Sequence, residues 1–182
     1  MKRYIIILIL ALTASSLHAE HKVRVSLAGG YSLVNDLAGS GTFSFSPKVT
    51  IAYPITPKDR DFNAELGLVG LYEAQITGND LRAPGFGFNL RIFYNNFGFI
   101  RPYFNHEILT RILFMNGKNN SATSFSVLLG LGADFPLAQD RPKETPSVFA
   151  DISYVFYNVG YFNTAESRVK TLFLTAGYEM PF

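Results

Sequence analysis

Among 182 residues the chain has no cysteine and no tryptophan. Without thiols it can form no disulfide, carry no lipid on an N-terminal cysteine and build no thiolate metal site. Histidine is almost as scarce. Of His18, His21 and His106, the last two stand isolated from each other, and metal chemistry has no donor set with ligand spacing once the N-terminal segment holding His18 is removed. Long apolar runs are missing too. The longest, from Tyr4 to Ala14, falls well short of the roughly 20 residues a helix needs to cross a bilayer. If the chain resides in a membrane, it does so without helices. Charge of one sign is also lacking: the formal net charge is only +2, and Lys2 and Arg3 supply it. Nothing in that balance points to nucleic acid as a partner.

The N-terminus has the layout of a secretory signal: the basic pair Lys2 and Arg3, the apolar core from Tyr4 to Ala14, and the small-residue exit SSLHA. Cleavage after Ala19 divides the chain into a signal peptide, 1–19, and one domain, 20–182, with 14 basic and 14 acidic residues.

What is abundant is alternation of period two, the mark of strands with two unlike faces. Eight runs carry it. Val23, Val25, Leu27, Gly29, Tyr31 and Leu33 oppose Arg24, Ser26, Ala28, Gly30 and Ser32; Phe43, Phe45, Pro47, Val49, Ile51 and Tyr53 oppose Ser44, Ser46, Lys48 and Thr50. Leu66, Leu68, Gly70 and Tyr72 oppose Glu65, Gly67 and Glu73, and Phe86, Phe88, Leu90, Ile92 and Tyr94 oppose Asn89 and Arg91. In the fifth run Phe104, Ile108, Ile112 and Phe114 oppose Arg101, Asn105, Glu107 and Arg111. The sixth and seventh place Asp134 and Asp151 opposite apolar residues, and the last sets Leu172, Leu174, Ala176, Tyr178, Met180 and Phe182 on one face. The segments between runs, among them NDLAGSG, TGNDLRAPG and MNGKNN, have turn chemistry and are expected to be loops of roughly eight to ten residues at one end.

The direction of the apolar face decides the fold class. Seventeen Phe and ten Tyr are too many large rings for the interior of one small soluble barrel. As a lipid-facing band with aromatic girdles they have a natural place. The expectation is an all-β, eight-stranded antiparallel up-and-down transmembrane β-barrel, whose closure pairs every backbone polar group without water. Eight strands leave a lumen about wide enough for side chains. The inward charges would be Arg24, Lys48, Arg91, Arg101 and Arg111 against Glu65, Glu73, Glu107, Asp134, Asp151 and Glu179. Near balance favours an ion-pair network that plugs the lumen over an open channel of one sign.

With these features in view, the chain resembles the small outer-membrane β-barrel proteins, a superfamily that includes OmpX-like, OmpW-like and opacity-type porin-family barrels. The ending LFLTAGYEMPF is similar to their C-terminal signature, and RPYF at Arg101 to Phe104 looks like the segment that opens a mid-barrel strand there. NHEILTRI, in place of a glycine-rich continuation, and Pro181 within the ending depart from the pattern. The resemblance implies an outer-membrane location in lipid and lipopolysaccharide, no cofactor, and recognition of Tyr178, Met180 and Phe182 by the barrel-assembly machinery during biogenesis.

Some barrels of this size are lipid A deacylases with a His-x-Ser motif on a late strand. Here DISYVFYN offers Ser153 without a histidine. His106 and Glu107 are adjacent on a strand and face opposite ways, so they cannot share a site. Alternation points His106 itself at lipid, where a polar ring is costly. Pro47 and Pro102 each remove a ladder donor and are expected to mark bulges or a lateral seam. The resulting expectation is a non-enzymatic barrel with a structural or surface-interaction role. The alternative is passage of small or hydrophobic solutes past the small inner residues Ala28, Gly30, Gly130 and Gly132; adhesion is a lesser one.

Overall fold

Alternating faces become strands throughout the computed structural model, which describes residues 21–35, 41–56, 61–77, 81–95, 99–115, 121–138, 145–162, 165–167 and 169–182. The signal segment assigned to 1–19 lies outside them. The strands are β1 (Lys22–Asn35), β2 (Thr42–Pro54), β3 (Phe62–Gln75), β4 (Leu81–Tyr94), β5 (Arg101–Met115), β6 (Ser121–Pro136), β7 (Ser147–Phe162), β8 (Ala165–Ser167) and β9 (Val169–Pro181). β8 and β9 are two parts of the eighth stave, both paired to β7. Every neighbour is antiparallel, and β1 pairs β9 from Lys22↔Pro181 onward, so the sheet closes into an eight-stave barrel.

Outward faces carry the apolar set. On four of the eight staves it runs about 11 residues between aromatic ends: Phe43 to Tyr53, Phe62 to Tyr72, Phe104 to Phe114, Phe125 to Phe135. At 3.3 Å per residue and a tilt near 40°, such a run spans about 28 Å, close to the apolar height of membrane barrels. Ring pairs mark both rims, Phe62 with Tyr94 at 5.0 Å near the chain termini and Tyr31 with Phe43 at 5.0 Å at the opposite end. Leu131 and Phe86 are each 64% exposed within a continuous apolar belt that water would not tolerate. The barrel is a membrane-spanning one.

Two bulges interrupt the pleat. One follows Ser32 in β1, where Leu33 and Val34 both face out, and one lies in β7, where Phe156 and Tyr157 do. Neither is at a proline. At Pro47 the register with β1 is continuous, and the ladder to β3 is interrupted at Ser46 and Pro47 without any shift. Pro102 sits where the β4–β5 ladder ends, beside the pair Phe93↔Tyr103. The expected bulges at these prolines are therefore replaced by a gap and a ladder end, because each missing N–H costs a hydrogen bond but no extra residue.

The connections also differ from expectation. Strand reaches further into the turn-like segments, since Arg82 to Gly85 continue the pairing with β3. At the end opposite the termini the connections are only 36–41, 76–80, 116–120 and 163–164, against 55–61, 95–100 and 137–146 at the terminal end.

Candidate functional site

The lumen is where polar chemistry collects, because alternation sends every second side chain of eight staves into one narrow space. All eleven charged residues assigned to it face inward and are buried, and Lys22 joins them. Among the described residues that makes six inward cations and six inward anions. Lys22 lies on the same face as Arg24, one position before the run read as starting at Val23. Extending that run by one residue would have found it.

Most of these charges sit toward the terminal end. Glu179 accepts from Lys22 Nζ at 2.8 Å and from Arg24 Nε, and Arg101 approaches it at 4.0 Å. Glu65 takes the second contact of both, Lys22 at 2.8 Å and Arg24 through Nη2. Arg101 pairs with Asp134, and Arg91 lies 3.5 Å from Asp151. The Arg91 guanidinium is sandwiched between Tyr103 and Phe149, 4.4 and 4.2 Å from the ring centres, while Tyr103 donates to Asp151 at 3.0 Å. Amides link the clusters. Arg24 donates to Asn89 at 3.3 Å, Asn89 to Asn105, and Asn105 to Glu107 at 3.3 Å. Glu107 in turn accepts from Lys48 at 2.9 Å, a bridge between β5 and β2. In a low-dielectric interior such pairing is what makes charge tolerable, and it is incomplete here: Arg91 Nε and Nη1, Arg101 Nε and Asp134 Oδ1 are buried without a hydrogen-bond partner among the described residues.

Above Lys48 and Glu107 the lining becomes apolar. Ala28, Val69, Leu71, Leu109, Leu128, Val155 and Phe173 form one buried cluster, drawn from β1, β3, β5, β6, β7 and β9. It is a septum across the bore. Beyond it, toward the short connections, lie one more ion pair, Arg111 with Glu73, and a set of hydroxyls and amides. Arg111 also donates to Ser126 at 2.5 Å, Asn158 donates to Ser124 and Ser126 at 3.0 and 2.7 Å, and Ser32 meets Thr171 at 3.2 Å.

The small inward residues are spacing for rings. Gly30 pairs directly with Phe173 and Gly132 with Tyr103. A Cβ at Gly30 would come within 2.6 Å of the Phe173 ring, and one at Gly132 within 2.6 Å of the Tyr103 hydroxyl. The space that alternation left over Gly30 and Gly132 is filled from across the ladder, a known way to support glycine in a strand.

Ser153 faces the lumen, 3.4 Å from Asp151, whereas His106 faces out between Leu90 and Leu129 of the flanking staves. His21 lies at the closing seam, edge-on to Tyr53 at 4.8 Å and near Phe182 at 5.6 Å. The wall thus separates serine from histidine. Among the described residues no three His, Cys, Asp or Glu side chains are grouped to hold a metal. Tyr178, Met180 and Phe182 are all exposed on the outer face.

No family model matches this sequence, and no curated protein does. Solved structures do. The chain is similar to Neisserial surface protein A, with a TM-score of 0.63 at 14% identity, covering 89% of this chain and 97% of that one. It is similar to Ail, the attachment invasion locus protein of Yersinia pestis, in its complex with the heparin analogue sucrose octasulfate, with a TM-score of 0.54 at 12% identity over 89% and 99%. The outer membrane enzyme PagL gives 0.54 at 12% identity over 87% and 99%. These likenesses establish the fold, that of small outer-membrane eight-stranded barrels; fold alone does not assign a role.

Proposed function

We propose that this protein is a non-enzymatic outer-membrane barrel with a plugged lumen, whose role is structural or is carried by its outer surface. The observation that carries the proposal is the septum of Leu71, Leu109, Leu128, Val155 and Phe173 lying between two charge-balanced sets of ion pairs. An axial route for a solute would have to break both. The glycines that would widen a channel are occupied by Phe173 and Tyr103, which weakens the case for passage of small solutes along the axis. Catalysis of the deacylase kind is disfavoured by the separation of Ser153 from His106 across the wall. On this proposal the immediate partners are outer-membrane lipid and lipopolysaccharide around the belt, and the assembly machinery, which reads Tyr178, Met180 and Phe182 during insertion.

Planar-bilayer recording tests the plug. Purified barrel is expected to give no steady conductance at any holding potential it survives; sustained, sizeable steps would overturn the proposal. Surface attachment ranks second, as one structural neighbour is an attachment protein. The segments between strands at that end are 36–41, 76–80 and 116–120. Cell-binding measurements on variants with those segments exchanged would decide it: unchanged binding removes them from the role.

A further inference from the structure

One row of the wall combines two prolines. Pro47 of β2, Tyr72 of β3, Pro84 of β4 and Ile112 of β5 occupy successive register positions. The β2–β3 ladder skips Ser46 and Pro47, and the β4–β5 ladder skips Ala83 and Pro84, both without a register shift. Proline has no N–H to give. The carbonyls at the facing positions, Tyr72 and Ile112, therefore lose their ladder donors. Between the two gaps, β3 and β4 remain fully paired from Leu71↔Gly85 to Ala74↔Arg82. Each flank of this two-stave ribbon is thus interrupted once, and beyond the interruption two pairs hold it, Ser44↔Gln75 and Phe45↔Ala74 on one side and Leu81↔Met115 and Arg82↔Phe114 on the other.

Inside, the ribbon is fastened differently. Glu73 of β3 is ion-paired to Arg111 of β5, bypassing β4, and Arg111 is anchored on β6 through Ser126 at 2.5 Å. The arginine stem crosses β4 at Gly85, its register partner. A Cβ there would come within 2.7 Å of Arg111 Cγ, so glycine is what lets the stem pass. At the tip, Ile76 N donates to Phe43 O at 2.8 Å, Phe43 N to the Thr77 hydroxyl at 2.8 Å, and Gln75 to Thr42 at 3.2 Å.

We infer that the paired strand ends Tyr72–Thr77 and Leu81–Gly85 of β3 and β4 form a hinged panel, and that the Glu73–Arg111 pair is its latch. Where backbone hydrogen bonds are missing on both flanks, the panel opens as a unit of its own, below the cost of unfolding the barrel. Opening exposes Ser44 and Ser46 of the compartment beyond the septum to the membrane side. The septum residues Leu71 and Leu109 lie one inward step nearer the terminal end, so the axis stays closed while the side opens. This goes beyond the plugged reading and does not depend on it.

Hydrogen–deuterium exchange on the full chain in phospholipid nanodiscs tests it. Amides of residues 71–77 and 81–86 should exchange about tenfold faster or more than those of 26–32 and 171–177 in the closing seam. Arg111→Met should speed the panel further and leave the seam unchanged, and Pro84→Val, which restores a donor, should slow it. Should Arg111→Met fail to insert, Ser126→Ala removes the latch's second anchor and gives the same readout. Equal protection of panel and seam in the unaltered protein would overturn the inference, and so would loosening of every stave together when the latch is removed.

Discussion

The two halves of the lumen are filled by different means. Toward the termini lie ten charges: Lys22, Arg24, Lys48 and Arg101 with Glu65, Glu107, Asp134 and Glu179 make a network linked through Asn89 and Asn105, and Arg91 with Asp151 a pair beside it. Beyond the septum there is, among the described residues, one ion pair, Glu73 with Arg111; Leu81, Ala83 and Leu113 are buried beside it, and the rest of the polar lining is Ser, Thr, Asn and Gln. Both halves are neutral, so neutrality does not distinguish them. What differs is how many partners each group needs. A buried guanidinium is tolerable only with several acceptors held in place, which ties distant staves together; a hydroxyl needs one. The terminal half is thus strongly cross-braced, and the other half is adaptable.

The comparison is broken most severely at Glu179, which serves both Lys22 and Arg24. Glu179→Gln leaves two buried cations short of charge and is expected to cost about 3–5 kcal/mol in urea unfolding from lipid vesicles. A loss under about 1 kcal/mol would show that water already screens the network. Next comes the septum. Leu128→Ala should cost about 2–4 kcal/mol by the same measurement, and combined with Leu109→Ala and Phe173→Ala it should give the first measurable conductance. A triple variant that still seals would place the barrier in the ion pairs instead.

The hydroxyl half should be far more tolerant. Thr171→Val removes the partner of Ser32 and is expected to cost about 1 kcal/mol. A loss as large as that at Glu179 would erase the contrast between the halves. The smallest effect is expected from replacing a whole pair. Lys48→Met with Glu107→Leu should be nearly neutral in stability, within about 1 kcal/mol, whereas Glu107→Leu alone strands Lys48 and should be clearly destabilising. Equal costs for single and double variants would mean that the two residues do not act together.

The faces of the staves were legible in the sequence because period two leaves no freedom: once Phe104 points to lipid, Glu107 and Arg111 must point inward. Pro84 was not, since it lies in a stretch whose Gly, Asn, Asp and Pro read as a turn, yet pairing with β3 carries strand through it. Nor was the septum. Leu71, Leu109 and Leu128 are apolar residues on otherwise polar faces, and only the stagger between staves brings them to one level. The bulge at Phe156 and Tyr157 left no sequence signal, because two consecutive aromatics can also be read as a rim.

The closing seam bears on how such a barrel can be made. Lys22 and Arg24 stand on the first stave, and Glu179, their shared acceptor, on the last, more than 150 residues away. Until β9 arrives, the two cations share one carboxylate, Glu65, with Asn89 as a second acceptor for Arg24, and His21 lacks the backbone partner it finds in Phe182. A nascent sheet of seven staves therefore gains little by lingering, and an intermediate open on that side carries uncompensated charge at the edge meant to enter lipid. Long-range closure of this kind makes assembly slow and nearly all-or-none. The last stave sets the moment at which the rest becomes stable, so chains that lose it should be cleared rather than accumulate half-built.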